Sequence, residues 1–532
     1  VSASHDGSAG SDLAATVRIK GGAVWDPANR RRGEIGDVCI EGGRIVASLP
    51  PGAPVFEARG LVVLPGGVDL HSHIVGGAVR QARLLCPEPA AADCLPVLRE
   101  TGERYARLGY TTVFDAAIAP SLAAAAHDEF EALPILDRGF FVLMGNDPGT
   151  LGAARQGDAS RLADTVKGIL AGACGFAVKL VNPGGVAAWR ARHDEPPLEE
   201  ATALLAAFAR ANAALSLPHP PHVHLPRLGV PGNATATLAL IEGALGGKGA
   251  APLHLTHLQF HAYGGRTIRG FRSRAPEIAA RLNRLQGWSA DVGQVVFGPA
   301  VTLSADAPAQ ERLHRATHRK RINWDIEDET GCGVVPHTYR PGSLVAAVQW
   351  AAGLELMLLV EDPWRIALTT DHPNGGPFTA YPLVLRMLAD RAYREAILAR
   401  AHPALPRRTS LGAIAREYAF EELVIVTRSG PARILGLKHK GHLGPGADGD
   451  VALYRQPGAI NTTFEKAVAL FKDGRLVLHE GEILDPRPGR TLYAGAVHEE
   501  GATHETGAAH EAGAAQKAGS ILPESLSRRE AI

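Results

Sequence analysis

Leu61-Val62-Val63-Leu64-Pro65-Gly66-Gly67-Val68-Asp69-Leu70-His71-Ser72-His73 is an apolar run that ends in two histidines one residue apart. An apolar run interrupted by turn residues reads as a buried strand. Side chains at i and i+2 of a strand share a face, so His71 and His73 project together from its C-terminal end. Alone, such a pair fits two satisfied core imidazoles as well as two metal ligands. The residues downstream decide between them.

From about residue 64 to 401, short apolar runs recur, each followed by a polar or Gly-rich loop and then an Ala/Leu/Arg-rich stretch. The candidate strands are Leu61–Leu70, Thr111–Asp115, Phe140–Met144, Gly175–Val181, His222–His224, Leu253–Phe260, Trp288–Val292 and Arg365–Thr370. Asp93–Leu108 and Leu198–Ala214 read as helices between them. Eight β-then-α units indicate an α/β chain with a parallel (β/α)8 barrel of the TIM type rather than a doubly wound sheet. Short-strand patterns return on either side, around Val17-Arg18-Ile19 and Asp37-Val38-Cys39-Ile40 and again from Val424 to Leu492. Neither flank alone can bury a core, so the two are expected to pair into one small β-sandwich. The organisation expected is 1–63 and 423–495 for the halves of the sandwich, 64–422 for the barrel, and 496–532 for a low-complexity, disordered tail. That tail repeats His498-Glu499, His504-Glu505 and His510-Glu511.

Composition limits the function. Lys+Arg and Asp+Glu both number 55 in 532 residues, a balance unlike the basic footprint of a nucleic-acid binder. No apolar run approaches the ~18 residues of a membrane span, and residues 1–13 lack the apolar core of a secretion signal. Five scattered cysteines with no C-x-x-C pair fit a reducing cytoplasm. Ten of the 55 cationic residues are lysines, so a lysine inside an apolar segment calls for a reason.

Barrel enzymes place their chemistry at the C-terminal ends of the strands. There, this sequence has His71 and His73, then Phe176-Ala177-Val178-Lys179-Leu180, His222-Val223-His224, His254-Leu255-Thr256-His257, and Thr369-Thr370-Asp371-His372. Imidazoles, one lysine and one carboxylate recurring at successive strand ends indicate a two-metal site. The residues leave open which of His222/His224 and His254/His257 are ligands. The second of each pair lies nearer the strand exit. Lys179 is costly to bury as an ammonium. Burial near cations favours its neutral amine, which can add CO2 to form a carbamate with two oxygens to offer metals. The alternative is a lysine paired with a carboxylate.

This pattern resembles the amidohydrolase superfamily, in the branch with a carboxylated lysine that includes hydantoinases and dihydroorotases. Residues 58–69 resemble the family's lead into its His-x-His strand. Pro431-Ala432-Arg433-Ile434-Leu435-Gly436 and the stretch 441–450 resemble its return to the sandwich. More narrowly, residues 254–264, Gln349-Trp350-Ala351-Ala352-Gly353-Leu354-Glu355 and residues 370–382 resemble the A-subunit family of formylmethanofuran dehydrogenases and formyltransferase/hydrolase complexes. Leu225-Pro226-Arg227 departs from the polar residues that family carries after the strand-five histidine.

The resemblance implies two Zn2+ held by His71, His73, carboxylated Lys179, His224, His257 and Asp371, with Asp371 as the proton-transfer group. His222, His254, His261, Asn182, Arg227, His372 and Asn374 would support these ligands or the substrate. The implied substrate is an N-formylated methanofuran- or methylofuran-type cofactor. It would be cleaved to formate and free amine in the cytoplasm, in one-carbon metabolism, beside other subunits that include a formyltransferase. Arg190–Arg192 and Arg312–Arg321 would meet an acidic cofactor tail or else form solvated loops. The competing readings are a hydantoinase- or dihydropyrimidinase-like cyclic amidase, a catalytically silent scaffold subunit, and formate condensation by a formylmethanofuran dehydrogenase subunit.

Overall fold

The computed structural model describes residues 16–86, 94–193, 195–304, 306–318, 333–455, 460–495 and 529–531. Eight parallel strands follow one another in space: Gly67–Ser72, Tyr110–Ile118, Asp137–Leu143, Ala177–Val181, His222–His224, Leu253–Leu255, Trp288–Asp291 and Ile366–Ala367. A parallel bridge between Ser72 and His372 joins the last to the first and closes the ring. This is the (β/α)8 barrel expected from the alternating pattern. Its helices pack outside through apolar stripes. In Leu198–Ala214 the buried Ala201, Leu204, Leu205, Phe208 and Ala211 recur every three or four residues.

The register puts key side chains in one layer. Lys179 is paired with His222, His222 with His254, and His254 with Ser289. His224 lies one layer nearer the mouth, opposite Val181. The i and i+2 histidines of the fifth strand therefore point the same way at two depths.

Several expected strands are cut short, Arg365–Thr370 to Ile366–Ala367 among them, and two break in instructive ways. Leu61–Leu70 is not one element: Leu61–Pro65 belongs to another sheet, and the barrel strand starts at Gly67. The break falls at Pro65-Gly66, where a Cβ on Gly66 would collide with Thr111 and one on Gly67 with the Tyr110 ring. Leu253–Phe260 ends as a strand at Leu255. His257 then takes φ 34°, and a 3-10 turn, Leu258–His261, follows.

Both flanks of the barrel build one nine-stranded sheet, joined where Leu61–Pro65 runs antiparallel to Val451–Arg455. The sheet folds back on itself. Phe56 and Phe471, several strands apart, meet edge to face at 5.3 Å, and Ile45 N donates to Ala447 O at 2.8 Å. Ile19, Val24, Ile40, Val63, Val451, Leu453 and Phe471 fill the space between.

An ionic clasp fixes this sheet to the barrel floor. Asp137, the first residue of the third barrel strand, receives the ammonium groups of Lys440 at 2.5 Å and Lys472 at 3.1 Å. The same two lysines reach Asp450 at 2.9 and 3.2 Å, and Lys440 also reaches Asp448 at 2.8 Å. Arg490 adds contacts to Asp137 and Asp448. Asp137, Asp448 and Asp450 converge closely enough to hold a cation, but two ammonium groups already sit among them.

Beyond the seventh strand, Gly298–Ser304 and Gly333–Tyr339 form an antiparallel hairpin whose residues Thr302, Leu303, Ser304 and Tyr339 line the cavity at the barrel mouth. Tail residues 496–528, with their three His-Glu pairs, lie outside the described residues, as do residues 319–321 of the second arginine stretch.

Candidate metal centre

His71 and His73 both aim Nε2 at Asp371, each 3.1 Å from Oδ1. They come from one strand end and Asp371 from another, brought together where the barrel closes. The backbone repeats that junction, since His73 N donates to His372 O at 2.7 Å. His257 completes the group: ligand atoms of His71, His257 and Asp371 all lie within 4.8 Å of one another. Lys179, His73, His224, His257 and Asp371 line one cavity, walled by Phe260, Leu228 and Leu303.

Buried ring nitrogens normally have partners. Here His224 Nε2 and His257 Nδ1 are enclosed and make no hydrogen bond with the described residues, and His71 Nε2 faces only the Asp371 carboxylate, 3.1 Å away. Both ring nitrogens of buried His261 likewise make no hydrogen bond with the described residues. Borderline-soft imidazole nitrogens beside a carboxylate suit Zn2+ or a similar ion, so the donor set fits a metal.

Electrostatics follow from enclosure and neighbours. Burial holds His224 and His257 well below the ordinary imidazole range, hence neutral and able to donate a lone pair. Burial also pushes Lys179 down, to about 8, against the pull of Asp291, Asp371 and Asp115. Asp371 resists the upward push of burial because His257 and His71 face it, and it stays well below the usual carboxylate range.

The remaining expected residues fall into distinct places. Asn374 Nδ2 donates to Asp371 Oδ1 at 3.0 Å, and its Oδ1 accepts from Leu303 N at 2.5 Å. Asn182 donates to Glu195 and Asp306, both at 3.2 Å. Asp306 lies 3.9 Å from His224 Nε2. His222 and His254 sit below the cavity: His222 Nε2 contacts His71 Nδ1 at 2.9 Å, and His254 Nε2 contacts Asp291 Oδ2 at 3.2 Å. His372 is buried against Phe378, with ring centroids 4.9 Å apart. Arg227 is exposed, as are Arg190 and Arg192, and none of the three lines the cavity.

Sequence reasoning passed over Asp291, although it lies at the exit of the candidate strand Trp288–Val292, and the observed strand ends on it. Its Oδ2 contacts His71 Nδ1 at 3.1 Å and His254, while its Oδ1 accepts from Thr369 Oγ1 at 2.7 Å and His257 N at 2.9 Å. The signal was a carboxylate at a strand exit, the same signal that singled out Asp371. Asp115, 4.0 Å from His73 Nδ1, and Tyr339, whose hydroxyl donates to Asn374 O at 2.9 Å, were also passed over.

A model of the amidohydrolase family matches residues 55–484. Over 502 residues the chain is 40% identical to the A subunit of the formyltransferase/hydrolase complex Fhc of Methylorubrum extorquens, covering 90% of each. Over 511 residues it is 37% identical to protein FwdA of Methanocaldococcus jannaschii, covering 89% of this chain and 90% of that one. Among solved structures, the formyltransferase/hydrolase complex FhcABCD from Methylorubrum extorquens with methylofuran contains a chain that matches with TM-score 0.85 at 38% identity. That match covers 90% of this chain and 91% of the other. Among the described residues, no helix is long and apolar enough to cross a membrane.

Proposed function

The chain belongs to the amidohydrolase family, and we propose that it is the hydrolytic A subunit of a formyltransferase/hydrolase complex of one-carbon metabolism. In this reading it works in the cytoplasm beside a formyltransferase subunit. It cleaves an N-formyl aminomethylfuran cofactor, of the formylmethanofuran or formylmethylofuran type, to formate and the free amine. One observation supports this above the others: enclosed, unpartnered imidazole nitrogens, a lysine and a carboxylate converge at the barrel mouth of a chain 40% identical to the A subunit of an Fhc complex over nine-tenths of both.

His71, His73, His224, His257, Asp371 and a carboxylated Lys179 would hold two zinc ions. Bound ions supply Lewis acidity, which polarises an amide carbonyl and acidifies water. The chain's own groups do the rest. Asn374 anchors Asp371 through Oδ1. Asp371 Oδ2 takes the proton from the attacking water and returns it to the leaving nitrogen, so that the C–N bond breaks to an amine rather than an amide anion. Phe260, Leu228 and Leu303 keep bulk water from the reacting carbonyl.

The test uses the chain with its partner subunits. Metal analysis is expected to find about two zinc ions per chain. Formate release from an N-formylated furfurylamine should nearly vanish in Asp371→Asn while the complex still assembles. Hydrolysis of hydantoin or dihydrouracil, with no formate release, would make the chain a cyclic amidase. Less than one metal per chain, with full complex activity in Asp371→Asn, would make it a scaffold.

A further inference from the structure

Below the cavity, three buried imidazoles stand in line. His219 Nδ1 meets the Ile434 carbonyl oxygen at 2.9 Å, His219 Nε2 meets His222 Nδ1 at 3.0 Å, and His222 Nε2 meets His71 Nδ1 at 2.9 Å. His71 and His222 are wholly enclosed, as is His219. Each contact needs one proton, and a neutral imidazole carries one.

The far end removes the choice of direction. A carbonyl oxygen only accepts, so His219 must place its proton on Nδ1. Its Nε2 is then an acceptor, and His222 must donate from Nδ1. That leaves His222 Nε2 as an acceptor, and His71 must donate from Nδ1. The lone pair of His71 is thereby fixed on Nε2, the atom 3.1 Å from Asp371 Oδ1. Asp291 Oδ2, also 3.1 Å from His71 Nδ1, is a second acceptor for the same proton.

We infer that His219 and His222 are positioning residues: a one-way imidazole relay, anchored on the Ile434 carbonyl, sets the tautomer of His71 and presents its Nε2 lone pair to the metal. The inference rests on the metal-centre reading above. It adds His219, gives His222 a defined part as the middle link, and ties the site to the segment Gly430–Leu435, outside the barrel strands. Groups that orient a ligating histidine typically change metal affinity ten- to a hundredfold when removed.

The packing of His222 allows a clean test, because it stacks on His254 at 4.5 Å and packs against Phe141 at 4.4 Å between ring centroids. His222→Phe keeps a ring there and removes both hydrogen bonds. His222→Gln restores an amide donor toward His219 and an oxygen acceptor toward His71. Zinc affinity of the assembled complex is measured by competition with a chelator, with thermal melting of the metal-free form alongside. The relay predicts roughly tenfold or more weaker zinc binding in His222→Phe, recovery to within about threefold in His222→Gln, and similar metal-free melting for both. His219→Phe should weaken zinc binding in the same direction by a smaller factor. Wild-type affinity in His222→Phe, or equal losses in the Phe and Gln variants, would overturn the relay while leaving the metal centre intact. A wild-type complex that binds no zinc would overturn both.

Discussion

Lys179 and Lys440 are both enclosed, yet their ammonium groups live in opposite surroundings. Lys440, on the barrel floor, lies within 2.9 Å of three carboxylates. Burial works against its charge, but Asp137, Asp450 and Asp448 outweigh burial and hold its pKa well above the ordinary lysine value. Lys179, at the mouth, is pushed down to about 8 by burial. No ion pair to it is found among the described residues, although Asp291, Asp371 and Asp115 lie near enough to pull on it. The same side chain is a strut in one place and, under the proposed function, the amine that would carry the carbamate in the other. What differs is how many acceptors the fold has spent on it. At the floor every charge is matched, whereas at the mouth donors and lone pairs are left over.

The largest effect should come from the mouth. Lys179→Ala is expected to lower formate release by ~10^3-fold or more, about 4 kcal/mol of barrier, with little change in melting temperature. Partial recovery of activity with added short carboxylic acids would identify the missing group as a carbamate. If Lys179→Ala instead melts as a badly destabilised chain, the contrast between the two lysines fails.

Next comes the floor. Lys440→Met leaves Asp137, Asp448 and Asp450 short of one cation in a buried cluster, and breaking such a cluster from one side costs about 3–5 kcal/mol. Urea unfolding should show the loss, while turnover per folded complex stays near the wild-type value. A fall in turnover that exceeds the fall in folded protein would mean that the floor and the mouth are coupled.

Why only one half of this contrast was legible in the sequence is a matter of distance along the chain. The barrel showed itself because each strand exit repeats one local pattern, and the mouth showed itself because its polar residues sit on those exits. Lys179 stood out as a lysine inside an apolar strand. Lys440 follows the turn at Gly436 and Lys472 stands just before the Asp473-Gly474 turn, places where a lysine looks like an ordinary surface residue, and their partner Asp137 lies some 300 positions earlier. Asp291 had the right position but no histidine beside it in sequence. Its partners His71 and His254 arrive only through the curvature of the barrel. The split at Pro65-Gly66 was hidden because apolar residues continue across it, although they face two different cores. The hairpin that carries Tyr339 follows the seventh strand as an insertion, outside the eightfold pattern.

Acid sharpens the comparison further. Asp448 is held down to about 2: burial pushes it upward, but Lys440 and Arg490 more than offset that. A carboxylate whose folded pKa lies below its unfolded value contributes stability that is complete above about pH 4 and disappears as the pH falls toward 2. The shift from 3.8 to about 2 corresponds to about 2 kcal/mol. The difference in urea midpoint between wild type and Asp448→Asn should therefore be largest near neutral pH and shrink between pH 4 and 2. A gap that stays constant down to pH 2 would show that Asp448 contributes through packing rather than charge.

The smallest effect tests how the mouth is held without charge. Tyr339 donates its hydroxyl proton to Asn374 O, and Asn374 in turn anchors Asp371 Oδ1. The chain Tyr339–Asn374–Asp371 is neutral except at its last member, so it should respond to geometry and not to ionic strength. Tyr339→Phe removes one buried hydrogen bond, worth about 1 kcal/mol, which corresponds to roughly fivefold in rate if Asn374 shifts with it. The loss is expected in kcat if Asp371 transfers the proton as proposed, and should be the same at low and high salt. At the floor, by contrast, the half-exposed Arg44 reaches Asp448 at 2.5 Å, so Arg44→Ala should lower stability by a margin that narrows as salt is added. A Tyr339→Phe loss confined to KM would instead assign Tyr339 to substrate contact, since Tyr339 itself lines the cavity.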